Sequence, residues 1–306
     1  MPDMDGIELA RHLLKLPHPP VVIFTTAFHE HAVQAFEVNA IDYLMNGGTE
    51  ALITNVAALG KALNPAIPPN WPIPANLRRE RAKKRMAEIL APIIAERRQS
   101  ANPPNDLLSL LMDAKDESSG EGMSDRQLHD EVLTIYIAGH ETTAVALTWC
   151  LYLLSLHPDA QGRLHDELEH VLGGRAPTVD DLPALPYTRQ VVDETLRLYP
   201  PVWASNRSAL AEDEICGYSI PAGSVVLFSP YVVHHDPRLW EEPEAFKPER
   251  FAPEVAVERH RYAYFPFGGG PRQCIGMGFA LVEATLVLAS VLQHYRSELL
   301  PSHTVQ

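Results

Sequence analysis

The hydrophobic pattern changes period along the chain. Residues 21–24 (VVIF) are apolar without interruption and lie between Pro20 and Thr25, as a strand buried on both faces of a parallel sheet requires. Helical spacing over residues 7–16 and 30–38, with a second strand signal at 41–44, makes the opening stretch α/β. After Asn46-Gly47-Gly48 the alternation stops, and the apolar positions recur at helical spacing over 52–63 and 75–98. The loop between these two helices, residues 64–74, carries five prolines, which exclude regular structure. Residues 102–105 and 116–122 read as further loops.

Ser124 followed by Gln127 forms a capping box, and the periodic segment it opens runs to about Leu156, where His157 and Pro158 stop it. A helix of roughly thirty residues is far above the usual ~11 to 12 and is expected to cross a whole domain. Helices follow at 159–172 and 187–199, then strand signals at 215–220 and 224–228. A proline-rich run at 236–251 precedes a glycine-rich loop at 267–276 and a last helix over 275–295. The fold class expected is therefore mainly α with small β elements, preceded by a short α/β fragment.

Charge narrows the partners. With 25 Lys+Arg against 39 Asp+Glu the net charge is −14, so no basic face is expected for nucleic acid or an anionic membrane. The longest apolar run, 279–292, is too short to span a bilayer and contains Glu283. Proline is 27 of 306 residues, about 9% against a typical ~5%, which implies many short elements joined by rigid turns. Three widely spaced cysteines argue against a disulfide framework and for a reducing, cytoplasmic location. Cys150 and Cys216 read as small buried residues, whereas Cys274 stands apart.

Three segments could carry chemistry. In FGGGPRQCIG, residues 267–276, the glycines let the backbone approach a flat ligand, and Cys274 sits at the mouth of the last helix beside Arg272. The helix dipole and Arg272 would favour a thiolate there, hence a metal ligand or nucleophile; the plainer alternative is a phosphate-cradling or merely flexible loop. In AGHETTA, residues 138–144, Ala138 and Gly139 leave a gap beside the long helix, where Glu141, Thr142 and Thr143 place an acid and hydroxyls. The alternative is a helix interior with ordinary threonines bonded to the preceding turn. A zinc HExxH is excluded because its second histidine would fall on Ala144. In Glu194-Thr-Leu-Arg197 the spacing puts acid and base on one helix face, either as a weak surface pair or, given the apolar flanks, as a buried pair with Arg250 as a third member.

Together the three segments resemble cytochrome P450. The haem-loop pattern FxxGxRxCxG is met by Phe267, Gly270, Arg272, Cys274 and Gly276, and the central-helix pattern by Ala138, Gly139, Glu141, Thr142 and Thr143. ExxR is Glu194 and Arg197, and PERF is residues 248–251. The resemblance, from about residue 48 to 306, implies a haem-thiolate monooxygenase that inserts one oxygen atom from O₂ into a small organic substrate. It implies haem b, iron protoporphyrin IX, with Cys274 as axial ligand of the iron, pushing electron density toward the metal. Arg272 and Arg207 would meet the propionates, Phe267 would lie near the sulfur, and Gly268, Ala138 and Gly139 would adjoin the macrocycle. Thr142 would hydrogen-bond dioxygen and Glu141 would relay protons, while Glu194, Arg197 and Arg250 would be structural. Electrons would come from a separate ferredoxin or flavoprotein reductase.

The opening segment resembles the second half of a response-regulator receiver domain, in MPDMDGIELA, VVIFTTAF and NAIDYL, with Thr26 at the switch threonine and Asn46 where that family has Lys. Its phosphoacceptor would precede Met1. The expected division is thus a partial receiver-like fragment at 1–47 and a partial P450 haem domain at 48–306, lacking the N-terminal helices that close the distal pocket. An inactive fusion of two truncated sequences, haem-binding at most, is the alternative.

Overall fold

In the computed structural model, residues 74–299 are described, apart from 105, 117 and 258. The α/β reading of residues 1–47, the helix at 52–63, nearly all of the proline-rich loop and the division near residue 47 lie outside them. Among the described residues, those up to Ile137 and those from Ala138 form separate compact units. No described helix is long and apolar enough to cross a membrane.

In the first unit, α1 (Pro74–Gln99) matches the helix expected from the pattern. The short α2 (Leu107–Asp113) is capped by Asp106, whose carboxylate accepts the Ser109 N–H at 3.0 Å. Met86 of α1 is fully buried, packed with Ile89, Leu133, Tyr136 and Ile137. The long helix α3 (Asp125–Leu156) starts where its capping box places it. The Gln127 N–H donates to Ser124 Oγ at 3.3 Å, and the Ser124 N–H donates back to Gln127 Oε1 at 3.0 Å.

The second unit is built around α5 (Pro186–Leu198), a helix buried on almost every side. Against it pack α4 (Pro158–Leu172), the five-residue α6 (Pro230–His234), a 3₁₀ turn at Pro248–Phe251 and the last helix α8 (Met277–Leu292). The core follows the sequence spacing: Leu164, Leu168 and Leu172 recur every four residues on α4 and meet Val191, Val192 and Leu196 of α5 and Leu288 and Leu292 of α8. Leu153 and Leu154 of α3 join the same cluster. Gly173, at φ +54°, ends α4 in the left-handed conformation a side chain would strain, and its N–H returns to the Glu169 carbonyl. Between α6 and α8 lies α7 (Pro253–Ala256), a single turn.

Among the described residues, four short strands make two antiparallel pairs. β1 (Ser205–Ser208) pairs with β4 (Val225–Phe228), and β2 (Asp213–Ile215) pairs with β3 (Tyr218–Ile220). The fold is therefore mainly helical with small strands, as expected, but the single strand read over 215–220 is instead half of a hairpin. Cys216 and Gly217 both have positive φ at its tip, the signature of a two-residue turn. That corrects the reading of Cys216: it is exposed on the turn, whereas Cys150 is buried in α3.

Candidate functional site

The site grows from α5. Glu194 and Arg197 have no exposed side-chain surface, and the three-residue spacing lets them face each other: Arg197 Nε donates to Glu194 Oε2 at 2.7 Å and Nη2 to Oε1 at 2.9 Å. The remaining guanidinium protons go to the carbonyls of His234 (2.8 Å), Pro243 (2.7 Å) and Ala245 (3.1 Å), so all five donors are used. Glu194 Oε1 also accepts the Lys247 N–H at 2.8 Å and stands 3.4 Å from Arg250 Nε. Arg250 donates through Nη2 to the Glu242 carbonyl, and its pKa is lowered by burial against the opposing pull of Glu194. Glu194 and Arg197 thus form the buried pair, with half-buried Arg250 at its edge, its Nε within ion-pair distance of Glu194 but without a hydrogen bond. A charge pair without exposure persists because every donor and acceptor has a partner.

The same helix braces the loop that carries Cys274. Tyr264 Oη donates to both Asp193 Oδ1 (3.0 Å) and the Asp193 carbonyl (3.1 Å), and burial raises the Asp193 pKa, with Arg189 at 2.8 Å opposing the shift. The Phe265 N–H donates to Nε2 of His234, a fully buried imidazole. Further along, the Gly268 N–H reaches the Phe265 carbonyl and the Cys274 N–H the Phe267 carbonyl, each at 2.9 Å. Gly268 has φ +72°, which lets the chain reverse between these two bonds. Phe267 is half-buried against the core cluster, while Arg272 and Cys274 are exposed. A cleft of about 190 Å³ lined by Asp193, Tyr264, Phe267, Gly268 and Met277 includes neither Cys274 nor any residue of α3.

On α3, Ala138, Gly139 and Glu141 are exposed on adjoining turns, which leaves the expected gap open. Thr142 Oγ1 donates to the Ala138 carbonyl at 2.6 Å. Thr143 is buried; it faces Glu283 of α8, whose pKa burial raises and the Thr143 hydroxyl partly lowers, although no bond of normal geometry joins them. Arg207 lies on β1, with its guanidinium turned back on the Asn206 carbonyl at 2.7 Å and 5.1 Å from the centre of the Phe228 ring.

Sequence reasoning missed His234, Tyr264 and Asp193. His234 has no ligand spacing in the sequence, and in the fold its ring is bonded on both sides. Its apolar flank, YVVH, is a signal of burial, but the partner 31 residues away is not readable from spacing.

The residues present fit a haem. The loop carries an exposed thiol two residues after an exposed arginine, and the nearby apolar side chains Ile275 and Phe279, on the loop and at the start of α8, are 97% and 73% exposed. Thiolate for iron, cation for carboxylate and apolar surface for a macrocycle are the chemistries that haem requires.

Comparisons with known proteins agree. The family model described as Cytochrome P450 matches residues 20–306, and so takes in residues 20–47, which resembled a receiver. Cyclooctat-9-en-7-ol 5-monooxygenase of Streptomyces melanosporofaciens is 42% identical over 234 residues, 76% of this chain and 51% of that protein. Cyclooctatin synthase of the same organism is 39% identical over 93% of this chain and 60% of its own length. Among solved structures, the haem domain of cytochrome P450DA is similar with a TM-score of 0.75 and 32% identity over 85% of this chain and 59% of that one. This chain spans 51% and 60% of the length of these two curated relatives. With nearly the whole sequence inside the family model and its motif residues on α3, α5, the 3₁₀ turn at Pro248–Phe251 and the braced loop, the chain belongs to the cytochrome P450 family, whose cofactor is haem.

Proposed function

We propose that this chain is the haem-binding part of a haem-thiolate monooxygenase, inserting one oxygen atom from O₂ into a small organic substrate with electrons from a separate ferredoxin or flavoprotein reductase. The carrying observation is Cys274, exposed on a loop tied to α5 and flanked by uncovered apolar side chains. When bound, haem b supplies the redox-active iron and the site of oxygen activation.

The chain's own residues divide the work. Cys274 Sγ would hold the iron, and the Cys274 N–H, bonded to the Phe267 carbonyl, sets the loop curvature that presents it. Arg272, free of any ordered acid among its neighbours on the loop, supplies positive charge for a propionate. Arg207 reaches the second propionate only by leaving the Asn206 carbonyl. Gly268 on the loop and Ala138 and Gly139 on α3 keep side chains out of the space a macrocycle needs. The Thr142 hydroxyl, with its proton on the Ala138 carbonyl, is an acceptor as it stands; donating a proton requires breaking that bond. Glu141 is exposed one residue before it and can recharge the hydroxyl from solvent.

The relatives named for cyclooctat-9-en-7-ol and, in Streptomyces avermitilis, pentalenene make alkenes and alcohols of that kind the first substrates to test. Free thiols at Cys150, Cys216 and Cys274 suit a cytoplasmic setting. The test of the assignment is Cys274→Ser: wild type binds haem and shows a thiolate-type Soret band when reduced and CO-bound, and the variant loses it. An unchanged band in the variant overturns the reading.

The alternative is an inactive fusion that binds haem at most. Haem binding without turnover by surrogate electron donors would support it. The receiver-like reading of residues 1–47 rests on the MPDMDG, VVIFTTAF and NAIDYL segments. The family match from residue 20 supports an earlier junction.

A further inference from the structure

We infer that His234 is a positioning residue that clamps the entrance of the Cys274 loop to α5 and so determines how the thiol is presented. The inference rests on the reading of Cys274 as iron ligand. His234 Nε2 stands 3.0 Å from the Phe265 nitrogen, which can only donate, so Nε2 must be an unprotonated acceptor. The proton then sits on Nδ1, 3.1 Å from the Arg197 carbonyl, which can only accept. Two backbone groups thus impose one neutral tautomer on a ring with no exposed surface.

The link is reciprocal. Arg197 Nη1 donates to the His234 carbonyl at 2.8 Å while the His234 ring donates to the Arg197 carbonyl, so neither residue moves without the other. Tyr264, the neighbour of Phe265, is bonded to Asp193, one turn before Arg197 on the same helix. Two consecutive residues of the loop entrance are therefore held across one turn of α5, and the imidazole lies against both, 5.3 Å from the Tyr264 ring and 5.5 Å from that of Phe265. From Phe265 the bonds continue to Gly268, and from Phe267 to Cys274. Only an imidazole offers a donor and an acceptor on opposite edges of a small apolar body. Gln reproduces the distal acceptor without the proximal donor, and Leu reproduces neither.

The test compares wild type, His234→Gln and His234→Leu, with Leu168→Ala on α4 as a variant destabilised away from the loop. Amide exchange is read at Phe265 by mass spectrometry, and the reduced, CO-bound Soret band is read on the haem-loaded protein. In wild type the Phe265 amide is protected; in His234→Leu it exchanges roughly tenfold faster, the loss of about one hydrogen bond, with His234→Gln closer to wild type. The Soret band of His234→Leu shifts to shorter wavelength, while Leu168→Ala lowers the melting temperature without moving it. An unprotected Phe265 amide in wild type overturns the inference and needs no variant to fold. So does a band in His234→Leu that moves no more than in Leu168→Ala. If wild type itself lacks the thiolate band, the Cys274 assignment has failed, and the exchange measurement alone decides whether His234 clamps the loop.

Discussion

The two sides of the Cys274 loop treat polar and apolar groups in opposite ways. Toward α5, every donor of Arg197 is used and both nitrogens of His234 are bonded, all without exposure. Toward its tip, the loop leaves a thiol, a guanidinium and two large apolar side chains uncovered, and the middle of α3 likewise exposes Ala138 and Gly139. The first side is complete from the chain's own atoms, so it behaves as framework. The second presents soft, cationic and apolar groups together, and is complete only with a ligand of matching chemistry. A buried polar network is tolerated where it is fully bonded, and exposed apolar surface where something else covers it.

The contrast is broken most severely from the framework side. Arg197→Leu leaves the Glu194 carboxylate buried beside a single remaining cation, and the expected loss is about 3–5 kcal/mol of unfolding free energy, read by denaturant titration. Cys274→Ser, on the open side, is expected to abolish the thiolate band while leaving the stability of the haem-free protein within about 0.5 kcal/mol.

Acid sharpens the comparison. Burial lowers the His234 pKa from its ordinary 6.5 to about 3, against the opposing hydrogen bond to the Arg197 carbonyl. Between those values the unfolded chain binds a proton that the folded chain excludes. The contribution is therefore fully present above pH 6.5 and declines as pH falls toward 3, at up to about 1.4 kcal/mol per pH unit. Denaturant midpoints of wild type should drop over that interval, and those of a stable His234→Gln should drop less. Tyr264→Phe removes a donor from half-buried Asp193 and is expected to cost about 1 kcal/mol by thermal or denaturant unfolding, while raising the Asp193 pKa further. The smallest effect is Thr142→Val: a half-buried hydroxyl bonded only within its own helix turn is worth no more than about 0.5 kcal/mol, so any larger change would appear in turnover and not in stability.

Much of this was readable in advance where the information is local. The capping box at Ser124 and Gln127 and the stop at His157-Pro158 bound α3 within one residue, because caps and prolines act on their nearest turn. Leu164, Leu168 and Leu172 mark the buried stripe of α4 by spacing alone. β1 was not visible, because SNRS is polar and becomes a strand only by pairing with β4. The hairpin at Cys216 was missed because Cys-Gly is an unusual occupant of a turn with two positive φ angles.

Residue types and their order determined the family motifs: a thiol after three glycines and an arginine, an acid and hydroxyls behind a small-residue gap, and a Glu–Arg pair one helical turn apart. Tertiary structure alone decided that Arg207 folds back onto its own strand and that His234 joins α5 to the loop entrance. The reason is physical. Spacing within one helix or turn follows from the geometry of the backbone, whereas a bond between residues 31 positions apart exists only once the intervening chain has packed.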